Sequence, residues 1–198
     1  MNSSTLPTTL GKVDPDIELV RRAQAGELGA FESLVERHRD VVFRVAARVV
    51  GPEDAEDVSQ DAFLRAFHRL DRFRGEGAFR SWLLQITHNA ALSAIGRRRP
   101  EPIEEPDEVE AEGPTAIRGP VSQLESRERR KRLEMKIRLL RPEHRTVLVL
   151  RDVEGLSYEE IGEVAEMPLG SVKGRLHRAR DELIDLLRRN TYDWELPK

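Results

Sequence analysis

The stretch Ser157-Tyr-Glu-Glu-Ile-Gly-Glu-Val-Ala-Glu-Met-Pro-Leu-Gly-Ser-Val-Lys-Gly-Arg-Leu-His-Arg-Ala-Arg180 decides the fold of the C-terminal half. It opens with a capping box. The Ser157 hydroxyl can accept the amide of Glu160, and the Glu160 carboxylate can reach back to the Ser157 amide. A short helix follows, with Ile161 and Ala165 expected inward. Met167-Pro-Leu-Gly170 reads as a tight break, and a second helix is expected from about Ser171. On it Val172, Leu176, Ala179 and Leu183 form one apolar stripe at helical spacing. The opposite face presents Ser171, Gly174, His177 and Arg178, flanked by Lys173 and Arg175. A rigid helix with hydrogen-bonding and cationic side chains near its N-terminal turns is what the DNA major groove requires. Lysine and arginine neutralise phosphate, and arginine can also hold both acceptors of a guanine. Gly174 costs about 1 kcal/mol in a helix, and its outward position suggests close approach to a partner. A solvated basic helix would explain the cations alone; the capping box, break, stripe and glycine together point to a helix-turn-helix over about 157–178.

Outside this motif the charge is uneven. The chain has 198 residues with 33 Lys+Arg and 36 Asp+Glu, a formal net charge of −3. Residues 100–122 alone carry seven acids and one base, Arg118, together with five prolines and two glycines. The remainder is therefore net basic. Such a segment breaks helix ladders and has little apolar surface to bury, so it reads as an acidic, extended linker. It separates an N-terminal domain at 14–99 from a C-terminal domain at 123–190, with tails at 1–13 and 191–198. The chain lacks cysteine, which rules out disulfides, thiolate metal sites and a thiol nucleophile. No apolar run approaches membrane-spanning length and the first residues lack a signal-peptide segment, so an intracellular protein without membrane insertion is expected.

The N-terminal domain also reads as helices, making the fold class all-α: two small helical domains joined by the linker. Val41, Val42, Val45 and Val49 are β-branched, but their i, i+4 recurrence and the flanking Arg44 and Arg48 favour helix. Gly51-Pro52 ends that helix and starts the next. The segment 53–70 is amphipathic, with Ala55, Val58, Ala62, Phe63, Ala66, Phe67 and Leu70 expected on the buried side. Its far side shows Asp57, Gln60, Asp61, Leu64 and His68. Leu64 is either an ordinary exposed leucine or the apolar centre of an acidic-rimmed docking face. The next cluster, Arg72-Phe-Arg-Gly-Glu-Gly-Ala-Phe-Arg-Ser-Trp82, interleaves arginines and aromatics. Phe73, Phe79 and Trp82 either stack on unpaired bases while Arg74 and Arg80 hold phosphate, or they close the core. Asn89 either reads a base edge or bonds locally.

Enzymatic chemistry finds no support. The five histidines make no metalloprotease pair, and neither a phosphate-binding glycine loop nor a nucleophile elbow is present. The acids Asp54, Glu56 and Asp57 sit naturally at a helix N-terminus. No metal or cofactor is expected. A conventional DNA-binding activator would use the same helix-turn-helix but would leave the acidic–apolar helix without a purpose.

At these residues the chain resembles the sigma-70 family. Glu18-Leu-Val-Arg-Arg-Ala-Gln-Ala-Gly26, Ala55-Glu-Asp-Val-Ser-Gln-Asp-Ala-Phe-Leu-Arg-Ala-Phe67 and Leu70-Asp-Arg-Phe-Arg-Gly-Glu-Gly-Ala-Phe-Arg-Ser-Trp82 look like region 2. Leu156-Ser-Tyr-Glu-Glu-Ile-Gly-Glu-Val-Ala165 and Gly170-Ser-Val-Lys-Gly-Arg-Leu-His-Arg-Ala-Arg180 look like region 4. With both regions and no room for further domains, the likeness is to the extracytoplasmic-function (ECF) group. The resemblance implies a bacterial, cytoplasmic specificity subunit of RNA polymerase, commonly held by an anti-sigma factor. It implies that Asp57, Gln60, Asp61, Leu64 and His68 dock on the β′ clamp helices, with the β flap as a further core contact. It assigns the −10 element to Phe73, Arg74, Phe79, Arg80, Trp82, His88, Asn89, Arg97 and Arg98. It assigns the −35 element to Ser171, Lys173, Gly174, Arg175, His177 and Arg178. It further implies that the acidic linker threads the RNA channel of the polymerase.

Overall fold

The computed structural model describes residues 14–75, 77–97 and 120–189, with side chains placed from 129 onward in the last of these. The described residues contain helices and turns and no strand. Four helices come from the N-terminal half: α1 Ile17–Gln24, α2 Leu28–Val50, α3 Pro52–Arg69 and α4 Phe79–Arg97. Four come from the C-terminal half: α5 Pro120–Leu139, α6 Pro142–Leu148, α7 Tyr158–Val164 and α8 Leu169–Arg188. The all-α expectation holds. α5 begins three residues before the expected domain boundary. The acidic segment up to residue 119, Arg98 and both tails lie outside the described residues.

The valine-rich segment is helical, and Val41, Val42, Val45 and Val49 are all buried in the centre of the N-terminal bundle. Gly51 adopts φ +103°, a conformation that side-chain-bearing residues resist, and Pro52 follows as the first helical residue of α3. Long-range polar bonds then set the helix ends. The Gln24 amide donates to the Leu70 and Phe73 carbonyls at 2.8 and 2.9 Å, tying α1 to the turn after α3. The Asp14 carboxylate accepts the Phe79 amide at 2.7 Å and so caps α4 from 65 residues away. Asp16 is buried, where its carboxylate meets His38 Nε2 at 2.7 Å and the Arg37 guanidinium.

In the C-terminal half, α6 ends at Leu148 and the chain continues as a π-helical turn over Val149–Val153. Gly155 follows with φ +72° and ends this helical run. Val147, Leu150, Leu156, Ile161, Val172 and Leu176 close this core. The two bundles touch: α7 packs on α4, and α2 meets α5, α6 and the π turn. Their buried residues form one continuous cluster.

Candidate nucleic-acid and polymerase interfaces

The helix-turn-helix forms around the expected capping box. The Ser157 hydroxyl accepts the Glu160 amide at 3.1 Å, and the Glu160 carboxylate accepts the Ser157 amide at 2.7 Å. The tight turn lies slightly earlier than the sequence indicated. Glu166 takes the positive φ (52°), and the Met167 amide donates to the Gly162 carbonyl at 2.9 Å. A Cβ on Gly162 would stand 3.0 Å from the Met167 carbonyl oxygen, so the turn can close this tightly because residue 162 is glycine. Gly170, expected in the break, sits instead in the first turn of α8. Val164 is buried where Ala165 was expected, and Ala165 is the half-buried C-cap.

On α8, Val172, Leu176 and Ala179 are buried as the stripe requires. Ser171, Lys173, His177 and Arg178 are exposed, while Gly174 and Arg175 are half-buried. The six residues assigned to the −35 element thus share one accessible basic face. His177 Nδ1 meets Asp181 Oδ2 at 2.7 Å one turn on. Arg180 grips Asp152 with two bonds of 3.2 and 2.7 Å, which hold its cation above the usual guanidinium range and pin α8 to the π turn. A Cβ on Gly174 would meet only the Arg178 guanidinium, at 3.6 Å. The fold itself therefore does not demand glycine there.

The far face of α3 is as expected in its polar members. Asp57, Gln60 and His68 are exposed, and Asp61 pairs with Arg65 at 2.7 Å. Leu64 is 60% exposed. The structure corrects Phe67, which the sequence placed inside: it is 42% exposed. Its ring meets Phe31 edge-on at 5.0 Å and the His68 ring at 5.9 Å. The apolar centre of this face is therefore Leu64 and Phe67 together. The signal was available, since residues three apart share a helix face, but aromatic content suggested burial.

The −10 set divides. Phe73, Phe79 and Trp82 form a ring triangle with centroids 5.3 to 5.7 Å apart. Phe79 is 1% exposed. This favours the core reading for Phe79 and Phe73 and leaves half-buried Trp82 at the edge. As enclosed rings, the two phenylalanines shape the loop rather than offer a stacking surface. Arg74, Asn89 and Arg97 are exposed. Arg80 is half-buried, within 3.4 Å of the Glu154 carbonyl and 3.6 Å of its carboxylate. His88 is 7% exposed, with Nδ1 unpartnered, and burial pushes its pKa down to about 4. Nothing in the sequence marked His88 as interior, and the charged groups that face it, Glu166 and Arg175, come from the other half.

The family model for sigma-70 region 2 matches residues 34–101, and that for sigma-70 region 4 matches 130–183. The chain is 38% identical over 177 residues to the ECF RNA polymerase sigma-E factor of Escherichia coli (strain K12), covering 85% of this chain and 92% of that protein. It is 38% identical over 173 residues to the ECF RNA polymerase sigma-E factor of Haemophilus influenzae, covering 84% and 92%. Among solved structures, CnrH in complex with the cytosolic domain of CnrY superposes with TM-score 0.67 at 29% identity, over 90% of this chain and all of that one. The sigma factor RpoE from Bartonella quintana, solved with the anti-sigma factor NepR, shares the fold with TM-score 0.59 at 23% identity, over 83% and 98%. With both sigma regions present in order, and with a curated relative matched over nearly its whole length, the chain belongs to the sigma-70 family and, within it, to the ECF RNA polymerase sigma factors.

Proposed function

We propose that this sigma factor joins bacterial core RNA polymerase through the exposed face of α3 and positions it on promoters through two DNA contacts. Leu64 and Phe67 supply the apolar centre of the core-binding face, and Asp57, Gln60, Asp61 and His68 its polar rim. The β′ clamp helices are the expected seat of this face, and the β flap is the partner of the C-terminal domain. The −35 duplex is read by α8 through Ser171, Lys173, Arg175, His177 and Arg178. The −10 strand is taken by the surface that carries Arg74, Trp82, Asn89 and Arg97, with Arg80 and His88 joining when α4 is uncovered. Synthesis of the transcript belongs to the core enzyme, and this chain contributes specificity. It acts in the bacterial cytoplasm, where polymerase and chromosome are, and among the described residues no helix is long and apolar enough to cross a membrane. RpoE from Bartonella quintana, which shares the fold, was solved with the anti-sigma factor NepR, and a protein of the anti-sigma class is the inhibitor expected here.

The observation that carries this reading is the basic, accessible face of α8, anchored by a capping-box helix on one side and a buried stripe on the other. A conventional activator would share that face but not the exposed Leu64–Phe67 pair on a separate domain. The test is run-off transcription with core enzyme on a genomic fragment library. Transcripts starting at a common pair of upstream elements are expected. Failure to compete with another sigma factor for core would refute the proposal.

A further inference from the structure

The loop that links α3 to α4 is held at both ends by α1 and the residues just before it. At its entry, Gln24, the last residue of α1, spends both side-chain N–H groups on the chain, donating to the Leu70 and Phe73 carbonyls at 2.8 and 2.9 Å. At its exit, the Asp14 carboxylate accepts the Phe79 amide at 2.7 Å through Oδ2 and the Asp16 amide at 3.1 Å through Oδ1. Between these pins, a Cβ on Gly75 would stand 3.1 Å from Ile17 Cδ1, so α1 lies against the loop itself. The helix is in turn fixed without help from the loop. Val20 is buried in the bundle core, and Asp16 is held by His38 Nε2 and the Arg37 guanidinium, both of α2.

The two pins bracket part of the −10 set. Five residues, 74–78, separate Phe73 from Phe79. A span that short has little slack, so the places of its ends decide where exposed Arg74 stands. The bond to the Phe79 amide sets the first turn of α4, which carries Trp82. An exposed glutamine hydrates freely, so two bonds to carbonyls 46 and 49 residues further on mark a defined seat for the loop entry.

We propose that α1 is the frame of the −10 loop: Asp14 and Gln24 are positioning residues that hold Arg74 and Trp82 in register for the unpaired strand without touching it. This rests on the assignment of the −10 face above. A loop whose ends are already placed loses less freedom when the strand binds, and affinity rises by that difference. The −35 face on α8 has no share in it.

The frame is read first without DNA. The chain has no cysteine, so spin labels can be placed uniquely at exposed positions, with Glu36→Cys on α2 paired with Arg72→Cys at the loop entry or with Ala78→Cys at its exit. Both distances should be narrow in the parent. Gln24→Ala should broaden the first and Asp14→Ala the second. Distances that stay narrow in both variants overturn the proposal, whatever the DNA assays show. Strand capture is read next, by anisotropy with holoenzyme assembled from the full chain and core. The probes are a twelve-nucleotide single strand with the non-template −10 sequence of a promoter mapped by that holoenzyme, and the matching −35 duplex. Gln24→Ala and Asp14→Ala should each bind the strand about tenfold more weakly and the duplex unchanged. An equal loss on both probes reports general destabilisation and overturns the frame, as does undiminished strand binding. Two conservative variants guard against misfolding. Asp14→Asn keeps an oxygen for the Phe79 amide and should return strand affinity to within about twofold of the parent; a loss equal to that of Asp14→Ala refutes the cap. Gln24→Glu keeps the side-chain shape but replaces the donor with a carboxylate oxygen, so it should match Gln24→Ala; parent-like strand binding refutes the Gln24 pin. A parent that forms no holoenzyme, or never captures the strand, fails the functional assignment, and the label distances still decide the frame.

Discussion

Replacing Leu64 separates core binding from folding. The side chain is 60% exposed, and the polar residues Asp57, Gln60 and His68 share its exposed face. Burying a leucine completely is worth about 1.5–3 kcal/mol, so covering the exposed part of Leu64 in a complex is worth about 1–2 kcal/mol. Leu64→Ala should weaken core association by about five- to thirty-fold. Leu64→Glu should do more, because it places a carboxylate at the apolar centre beside Asp57 and Asp61, and holoenzyme should no longer form on gel filtration. Neither change should move stability by more than about 0.5 kcal/mol, since exposed substitutions rarely do. Phe67→Ala provides the contrast. It removes a partly exposed ring from the same face, but it also removes the edge-on contact with Phe31, worth about 0.5–1.5 kcal/mol, so both affinity and Tm should fall. The assay is competition against a labelled sigma factor for core, run beside thermal unfolding. Undiminished affinity of Leu64→Glu would refute the interface, and a lowered Tm for Leu64→Ala would refute the exposure argument.

Further outcomes follow from the other faces. Arg178→Ala should cost about 1–3 kcal/mol on a cognate −35 duplex and relax preference at one base pair if the contact is to a base; matching footprints on wild-type and altered −35 sequences would remove α8 from that role. Asn89→Ala, on the exposed side of α4, should reduce permanganate reactivity of the −10 region in open complexes while leaving −35 binding intact; undiminished reactivity would make Asn89 structural. Gly174→Ala should stabilise α8 by about 1 kcal/mol, because the new Cβ meets only the exposed Arg178 guanidinium at ordinary contact distance, and it should weaken duplex binding; a raised Tm with unchanged affinity would show that DNA does not approach Gly174 closely. His88 titrates at about 4 in the folded chain, facing Glu166 and Arg175, against an ordinary value of 6.5. The unfolded chain therefore takes up the proton first. Stability is full above pH 6.5 and is lost as pH falls toward 4, by about 3 kcal/mol for a shift of this size. Denaturant titrations of His88→Leu should lack that share of the acid sensitivity, and identical pH profiles would show that His88 is not buried in solution.

The features legible in the sequence were those set by neighbours in the chain. A capping box needs residues three apart, a stripe needs residues three and four apart, and Gly51-Pro52 needs only adjacency. The helix-turn-helix, the valine-rich helix and the basic face of α8 were therefore readable, as was the far face of α3. Three positions were not settled by the sequence. Phe67 looked interior because an aromatic ring suggested burial, although its place three residues from Leu64 put it on the exposed face. Phe73 and Phe79 remained ambiguous between stacking surface and core until the ring triangle closed around them. His88 looked available because the groups that face it, Glu166 and Arg175, lie some eighty residues later in the chain.

The sequence by itself determined two all-helical units, their kinds and the polarity of their faces, since helix period and capping are short-range physics. Tertiary structure alone decided which faces meet. Asp14 caps α4 across 65 residues, and Arg44 finds Glu154 across 110. Bonds of that span depend on where the packed helices place their ends, and that placement is a property of the assembled core rather than of any window of sequence.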